Sequence, residues 1–389
     1  MSDDRFTETS SKSWFTRIGE SIKGILVGLF LVAGSTAGLF WNEGRAVQTE
    51  RSLTEGAGLV TNVPAERVDA AAEGKLVHVA SDAKTTAALN DAEFGVSAPG
   101  LRLVRTVEMY QWKEESKTET RRNVGGSEET ITTYSYVRTW SDGRFDSSRF
   151  RRPEGHINPE MRYSGRELYA RDATLGAFRL GENVLRQVAA SDELRLDPAL
   201  AAALRQRVGQ SAQVVDGRFY IGADPTAPRV GDLRISYRTA PAGPLSVIGR
   251  QTGSEFTSYQ TNAGDQLLLV SKGRVPAADM FKSAQAENRL LTWILRGVGV
   301  LVMFFGFMLI WQPFVVIADV VPLFGDILGA GVWLISLVLT AILAPVVIAI
   351  AWFWYRPLVS VIVLVSGLAV AFGIRWFFAR RTPAKVPAR

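Results

Sequence analysis

Cysteine is absent from this chain of 389 residues, and histidine occurs only twice, at His78 and His156. Without cysteine there is no disulfide, no thiolate nucleophile and no zinc finger. Neither histidine has a second His at metal-ligand spacing, so we interpret both as structural. The nucleophile elbow, the Walker loop and the dinucleotide-binding glycine pattern are missing as well. The sequence therefore predicts no catalytic residues, no metal and no cofactor, and a protein that is not an enzyme.

Charge is nearly balanced over residues 42–289, which carry 33 basic and 32 acidic side chains. A nucleic-acid-binding domain needs a basic patch or stripe, so we expect no nucleic acid as a partner. The net charge of +6 comes largely from residues 375–389, which contain five basic and no acidic side chains.

Four stretches lack Asp, Glu, Lys and Arg altogether, namely residues 24–42, 297–318, 327–355 and 357–374. A helix needs about 20 mostly apolar residues to cross about 30 Å of hydrocarbon. Eight of the ten Trp residues lie in or beside these stretches, as expected of side chains that favour the bilayer interface. The pattern favours four membrane spans over buried core helices, and the length of the first run favours a span over a cleaved signal peptide.

The predicted fold class is a multi-pass α-helical membrane protein with four spans and a large α+β, strand-rich extracytoplasmic domain between spans one and two. In chain order we expect a cytoplasmic tail (1–22), span one (23–42), the domain (43–289), span two (290–318), a short loop (319–326), span three (327–354), an outer turn (355–357), span four (358–378) and a basic cytoplasmic tail (379–389).

The orientation rests on the basic tail, because Lys and Arg favour the cytoplasmic side. Arg289 and Arg296, on the outer flank of span two, count against it. The ratio of 35 Arg to 9 Lys points to a GC-rich bacterium, hence to the bacterial inner membrane with a periplasmic domain. In a eukaryote the corresponding location is the endoplasmic reticulum or inner nuclear membrane.

Within the domain, alternating apolar residues predict strands at 74–80, 101–114, 130–140, 217–221, 232–239, 245–251 and 266–271. Residues 115–129 between the second and third strands are predicted to form a mobile loop. Helical periodicity predicts helices at 175–189, 197–208 and 277–289, the last running into span two.

The motif "FWNEGRAV" at residues 40–47 joins span one to the domain. We expect Trp41 to mark the interface and Asn42 and Gly44 to end the helix. We also expect Arg356 or Arg45 to meet Glu43, or backbone carbonyls, at the membrane surface. This predicted membrane-surface site consists of Trp41, Asn42, Glu43, Gly44, Arg45, Tyr355, Arg356 and Pro357.

Two acids, Asp319 and Asp326, bracket the sequence Pro322–Gly325 between spans two and three. An ionisable group within the bilayer is costly and usually serves a function. These candidate intramembrane acids either line a pore or a re-entrant segment, or lie in water at the cytoplasmic interface.

Motifs along nearly the whole chain resemble the LUMA family, also called the transmembrane protein 43 family. The resemblance is carried, in order, by "NEGRA" (42–46), "SLTEGAGLV" (52–60), "EGKLVHV" (73–79), "VEMYQW" (107–112), "GHINP" (155–159), "VGDLRISY" (230–237), "GDQLLLV" (264–270) and "WYRPL" (354–358). It implies four spans, a large luminal or periplasmic domain and no established enzymatic activity. For animal members it also implies self-association and the organisation of complexes with emerin and lamins in the endoplasmic reticulum and inner nuclear membrane.

Two functions follow. The favoured one is a non-enzymatic organiser of membrane protein complexes that binds unidentified membrane or extracytoplasmic proteins and forms homo-oligomers in the lipid bilayer. Small residues at Gly24, Gly28, Gly34 and Gly38 allow close helix contacts, either between copies or within one chain. The alternative is a subunit of an oligomeric ion channel or transporter that uses Asp319 and Asp326.

Overall fold

The structure is a computed structural model. It describes residues 5–209, 211–358, 360–362, 365, 369 and 375. The chain divides into two compact units. The first, here called the strand-rich unit, comprises residues 5–11, 52–121 and 129–284. The second, here called the helical unit, comprises residues 12–51, 122–128 and the described residues from 285 onward.

Five α-helices lie in the described residues: α1 (Trp14–Leu59), α2 (Glu182–Leu185), α3 (Leu200–Val208), α4 (Ala277–Ala318) and α5 (Pro322–Tyr355). Of these, α1, α4 and α5 are long and apolar enough to cross a membrane. They contain the first three predicted spans. The predicted span four, 358–378, lies largely outside the described residues, and the predicted tail, 379–389, lies wholly outside them.

The strands of the described residues range from 2 to 21 residues in length. In chain order they are β1 (Arg5–Lys12), β2 (Thr61–Asn62), β3 (Leu76–Lys84), β4 (Leu89–Asp91), β5 (Val96–Ala98), β6 (Arg102–Arg122), β7 (Glu128–Ser141), β8 (Arg166–Tyr169), β9 (Thr174–Leu175), β10 (Phe178–Arg179), β11 (Asp192–Leu194), β12 (Ala212–Val215), β13 (Arg218–Ile221), β14 (Leu233–Ala240), β15 (Gly243–Thr252), β16 (Glu255–Thr257), β17 (Tyr259–Gln260), β18 (Gln266–Leu267) and β19 (Leu269–Lys272).

The larger sheet has the strand order β1-β7-β6-β14-β13-β12, with β8 beside β6 and β11 beside β14. Side chains alternate along β6, so that Val107 and Met109 face the core and pair in register with Ile235 and Leu233 of β14. Asp216 and the following glycine adopt positive φ angles between β12 and β13, as a two-residue hairpin turn requires. The sheet thus follows from period-two patterning and turn chemistry.

The second sheet runs β19-β15-β16-β10-β9-β3-β2, with an additional pairing of β15 and β3. Val247 of β15 lies opposite Val79 of β3. One apolar cluster contains residues of both sheets, including Val79 and Val247 from this sheet and Val107 and Ile235 from the larger one. Shared burial of the two inner faces is therefore what holds the strand-rich unit together.

An ion pair lies inside this core. The Arg105 guanidinium donates to Asp91 at 2.8 Å and also contacts Glu93 at 2.7 Å, while the Tyr237 hydroxyl donates to Asp91 at 2.7 Å. Burial and the bond to Asp91 raise the pKa of Tyr237. The network supplies partners for charged groups that would otherwise be costly to bury.

The motif "GHINP" has a structural role in the same unit. The Asn158 side chain accepts from the Trp112 amide at 2.7 Å and donates to the Trp112 carbonyl at 2.8 Å. His156 stacks on Tyr136, with ring centroids 3.9 Å apart, and meets the edge of Trp112. The side chains of this turn therefore hold it against β6 and β7.

Most predicted elements of the domain are confirmed, and two predictions are wrong. Residues 115–129 are not a loop, because β6 continues to Arg122 and β7 begins at Glu128. Residues 175–189 contain short strands and the single turn α2 instead of a long helix. Residues 5–12, for which no element was predicted, form β1 at the edge of the larger sheet. In each case sheet pairing, which is non-local, decided the conformation.

We expect the strand-rich unit to lose stability in acid through His78. Its ring lies between Asn62 (Nδ1 to Oδ1, 2.7 Å) and the Val275 carbonyl (Nε2 to O, 3.0 Å). Burial lowers the pKa of His78, an effect that the Val275 carbonyl partly opposes. Below its ordinary pKa of about 6.5 the unfolded chain binds the proton more readily than the folded one, so stability present above that pH is lost as the pH falls.

The measurement is the apparent melting temperature of the full chain in detergent between pH 8 and pH 5, for wild type and His78→Gln. The wild type should lose an additional part of its stability on acidification that the variant does not lose. Parallel curves for the two proteins would contradict the assignment.

Candidate functional site

The motif "FWNEGRAV" lies within a helix, and the predicted helix end at Asn42 and Gly44 is wrong. Helix α1 continues through it to Leu59. A Cβ atom on Gly44 would stand 2.6 Å from Cζ of Tyr355, so the missing side chain leaves room for that ring. Asn42 is buried and donates to the Thr292 carbonyl at 3.2 Å. Both residues join α1 to its neighbours, and neither ends the helix.

Glu43 is the centre of a buried polar cluster, which we call the Glu43 cluster. Its carboxylate accepts two hydrogen bonds from Arg296, at 2.6 and 2.8 Å, and a third from the Trp352 indole at 2.8 Å. The Glu43 side chain is only 2% exposed. The Arg296 guanidinium also stacks on Trp293, 4.6 Å from the ring centroid. One carboxylate thus connects α1, α4 and α5.

Arg45 and Arg356 bind other partners than the predicted Glu43. Arg45 donates to Asn288 and Thr292, both at 3.0 Å. Arg356 pairs with Glu50. The residues of the predicted site therefore lie near one another. The ion-pair partner of Glu43, however, is Arg296, which the sequence indicated only as a charge on the flank of span two.

The turn before Pro357 is present. Helix α5 ends at Tyr355, and Arg356 leaves the helical conformation, with φ −135° and ψ 59°. Helical conformation resumes at Pro357 and Leu358. A residue that precedes proline avoids the helical region, which explains the break at Arg356.

Asp319 is the centre of a second cluster, which we call the Asp319 cluster. Arg17 of α1 donates to it at 2.5 Å, and Arg122 contacts it at 3.4 Å. The Asp319 side chain is fully buried, whereas that of Asp326 is 72% exposed and pairs with Arg122 at 3.0 Å. Of the two candidate acids, only Asp326 is freely accessible to solvent.

The tip of the hairpin formed by β6 and β7 takes part in this cluster. Arg17 donates to the Gly126 carbonyl at 2.6 Å and contacts Glu128 at 3.2 Å. The Gly125 amide donates to the Val320 carbonyl at 2.9 Å. Because these groups touch, residues 122–128 and residues 319–326 share one side of any membrane, and a placement of the two segments on opposite sides is inconsistent with the contacts.

The predicted loop 319–326 is shorter than expected. Helix α5 begins at Pro322, so that only residues 319–321 separate it from α4. Proline favours the first position of a helix. Gly325 packs directly on Asp319, where a Cβ atom would come within 1.6 Å of Oδ1. Asp326 therefore stands on a helix and Asp319 in the turn before it.

The small residues of α1 divide into two groups. A Cβ atom on Gly28 would stand 2.6 Å from the Gly306 carbonyl oxygen, so α1 and α4 touch backbone to backbone there. Gly34 and Gly38, in contrast, have no other described atom within 4 Å of such a Cβ position. Among the described residues, only the first group is used for close helix packing.

Metal-binding groups of three or more His, Cys, Asp or Glu side chains do not occur among the residues that the structure describes. The acids of both clusters are bound by arginines. What this arrangement can do chemically is to fasten helices to one another and to the hairpin tip.

Comparisons with known proteins point to one family. A sequence profile described as transmembrane protein 43 matches residues 109–357. The human protein named Transmembrane protein 43 is 33% identical over 398 residues, which cover 97% of this chain and 95% of the human one. The mouse protein is 31% identical (91% and 90% covered), and the Drosophila melanogaster protein named Transmembrane protein 43 homolog is 30% identical (88% and 91% covered). No solved structure matches.

Proposed function

Because the chain belongs to the transmembrane protein 43 family, we propose that it is a non-enzymatic organiser of membrane protein complexes, which binds partner proteins through its strand-rich unit and self-associates. Its family and its three apolar helices make it an integral membrane protein. The observation that carries the proposal is the set of partners that the buried charged groups have. Glu43 and Asp319 are buried in ion pairs that join structural elements, which suits an anchor.

The proposed topology has four crossings, with both termini in the cytoplasm and most of the strand-rich unit on the other side. The two charged clusters support crossing by α1, because Arg17 and Glu43 are 26 residues apart, about 39 Å along a helix. That length exceeds the hydrocarbon thickness of about 30 Å. In this topology residues 122–128 lie on the cytoplasmic side with Asp319.

Single cysteines introduced into this cysteine-free chain test the topology without background labelling. We expect Thr16→Cys and Val124→Cys to react with an impermeant thiol reagent from the same side, and Ala88→Cys from the opposite side. Val124 is 87% exposed, so the reagent can reach it. The unmodified chain is the control. Labelling of Val124→Cys together with Ala88→Cys, and not with Thr16→Cys, would show that the Asp319 cluster does not form in the membrane.

Self-association is proposed from an uncovered face of α1. Gly34 and Gly38 stand four residues apart, and no other described atom lies within 4 Å of a Cβ position on either. Small residues at this spacing allow close contact between helices. We propose a second copy of this chain as the partner of this face. The mass of the protein in native nanodiscs should be that of a dimer or larger, and a strictly monomeric mass would remove the proposal.

No surface feature of the described residues identifies the partner proteins. Proximity labelling in the native host, with the label fused to the strand-rich unit, should capture the same membrane proteins from independent cultures. An identical capture by a fusion that lacks residues 52–284 would contradict binding through that unit.

The source organism determines which membrane contains the protein. The matched relatives named above come from animals, and only the Arg to Lys ratio favours a bacterium. We propose the inner membrane for a bacterial protein and the endoplasmic reticulum or inner nuclear membrane for a eukaryotic one.

The rival function, a channel or transporter subunit that uses Asp319 and Asp326, has weaker support. Arg17 neutralises Asp319, which is fully buried and therefore does not line a conduit in this conformation. Reconstituted protein with conductance above that of empty liposomes, lost in Asp326→Asn, would favour the rival instead.

A further inference from the structure

A cavity of about 290 Å³ lies beside the Glu43 cluster, between α1, α4 and α5. Its lining includes Glu50, Asn288, Arg289, Arg296, Trp352 and Arg356. The volume is at the small end for ligand sites in proteins, which suits a single charged group better than a whole drug-sized molecule.

The cavity carries more positive than negative charge. Glu43 neutralises Arg296, and Glu50 neutralises Arg356. Arg289 is exposed and forms no ion pair with any described residue. Its guanidinium is thus available for an anion, and guanidinium groups bind phosphate through two parallel hydrogen bonds.

The cavity lies at the level expected for lipid head groups. Trp41 of α1, Trp293 of α4 and Trp354 of α5 are largely exposed and flank the residues of the Glu43 cluster in sequence. Exposed tryptophans on successive helices mark the interface between water and hydrocarbon. The anion that is most abundant at this level is the phosphate of a phospholipid.

We propose that this cavity binds the phosphate group of an anionic phospholipid, with Arg289 and Arg356 as the binding residues. Glu43 acts indirectly, because it occupies the Arg296 guanidinium. Arg289 is the main binding residue, and Arg356 contributes from its partly exposed ion pair with Glu50. The excess positive charge favours a lipid with net negative charge over a zwitterionic one. The site is independent of the proposed organiser function and of the oligomeric state.

The test uses full-length protein in detergent, to which phosphatidylglycerol, phosphatidylcholine or inorganic phosphate is added. Native mass spectrometry measures how much lipid is retained. We expect retention of phosphatidylglycerol to exceed that of phosphatidylcholine about tenfold, and Arg289→Gln to reduce it by a similar factor, the effect of one lost charge-assisted hydrogen bond. Arg356→Gln should have the same direction of effect.

Arg166→Gln is the matched control, since it removes an exposed arginine from the strand-rich unit and should leave retention unchanged. Equal retention of phosphatidylglycerol by wild type and Arg289→Gln would overturn the proposal. So would equal retention of the two lipids. Thermal stabilisation by inorganic phosphate, without any preference between lipids, would assign the site to a soluble anion and overturn the lipid assignment.

Discussion

Replacement of Glu43 by alanine is expected to destabilise the helical unit by about 3–5 kcal/mol. The substitution leaves the Arg296 guanidinium, which is 15% exposed, without its carboxylate, and it also removes the acceptor of the Trp352 indole. A buried charge that has lost its partner is costly because neither water nor another group replaces it. Thermal or denaturant unfolding of the full chain in a fixed detergent measures the loss.

Two further variants make this prediction specific. Glu50→Ala removes a carboxylate that is 51% exposed from the neighbouring pair with Arg356, and should cost less than about 1 kcal/mol. The double variant Glu43→Ala with Arg296→Met removes both buried charges and should recover part of the stability. A double variant less stable than Glu43→Ala alone would show that the pair is not what Glu43 contributes.

Replacement of Asp319 by asparagine is expected to cost about 3 kcal/mol, the lower end of the same range, since the Arg17 side chain is only 6% exposed and keeps Glu128 as a second charged partner. The hairpin tip should loosen as well, because Arg17 also holds the Gly126 carbonyl. Trypsin cleaves after arginine, so the measurement is the rate of cleavage after Arg121 and Arg122, together with the unfolding curve.

Asp326→Asn is the matched control for this second prediction. It removes the same charge seven positions further along the chain, from an exposed side chain that shares the Arg122 partner. We expect less than about 1 kcal/mol of destabilisation, and thus an unfolding curve close to that of the wild type. Equal cleavage rates in Asp319→Asn and Asp326→Asn would contradict the role of the buried acid.

The strands of the core were predictable because their side chains alternate between a buried and an exposed face, as in β6 from Leu103 to Met109. The C-terminal half of β6 was not predictable, since its side chains are polar on both faces of the strand and show no period-two alternation. The sequence of this half indicates a loop, and only its pairing with β7 shows that it is a strand.

The acids of the candidate sites were predictable from the sequence, but their ion-pair partners were not. Glu43 and Asp319 attract notice as acids beside apolar runs. Their partners, Arg296 and Arg17, stand 253 and 302 positions away in the sequence, and charge alone does not select them among 35 arginines. Gly44 was misread because glycine commonly follows a helix end, and only the position of Tyr355 shows why it is needed inside one.

The unbroken course of α1 sets a preferred bilayer thickness. Between the charged residues Lys23 and Glu43 it carries 19 residues without a charge, about 28 Å along the helix. That length matches a hydrocarbon region of about 30 Å. A thicker bilayer must be met by local thinning of the lipid, and a thinner one by tilting of the helix, each at a small cost per ångström. Hydrophobic mismatch should therefore concentrate this protein in regions of ordinary thickness within a heterogeneous membrane, before any partner protein is bound.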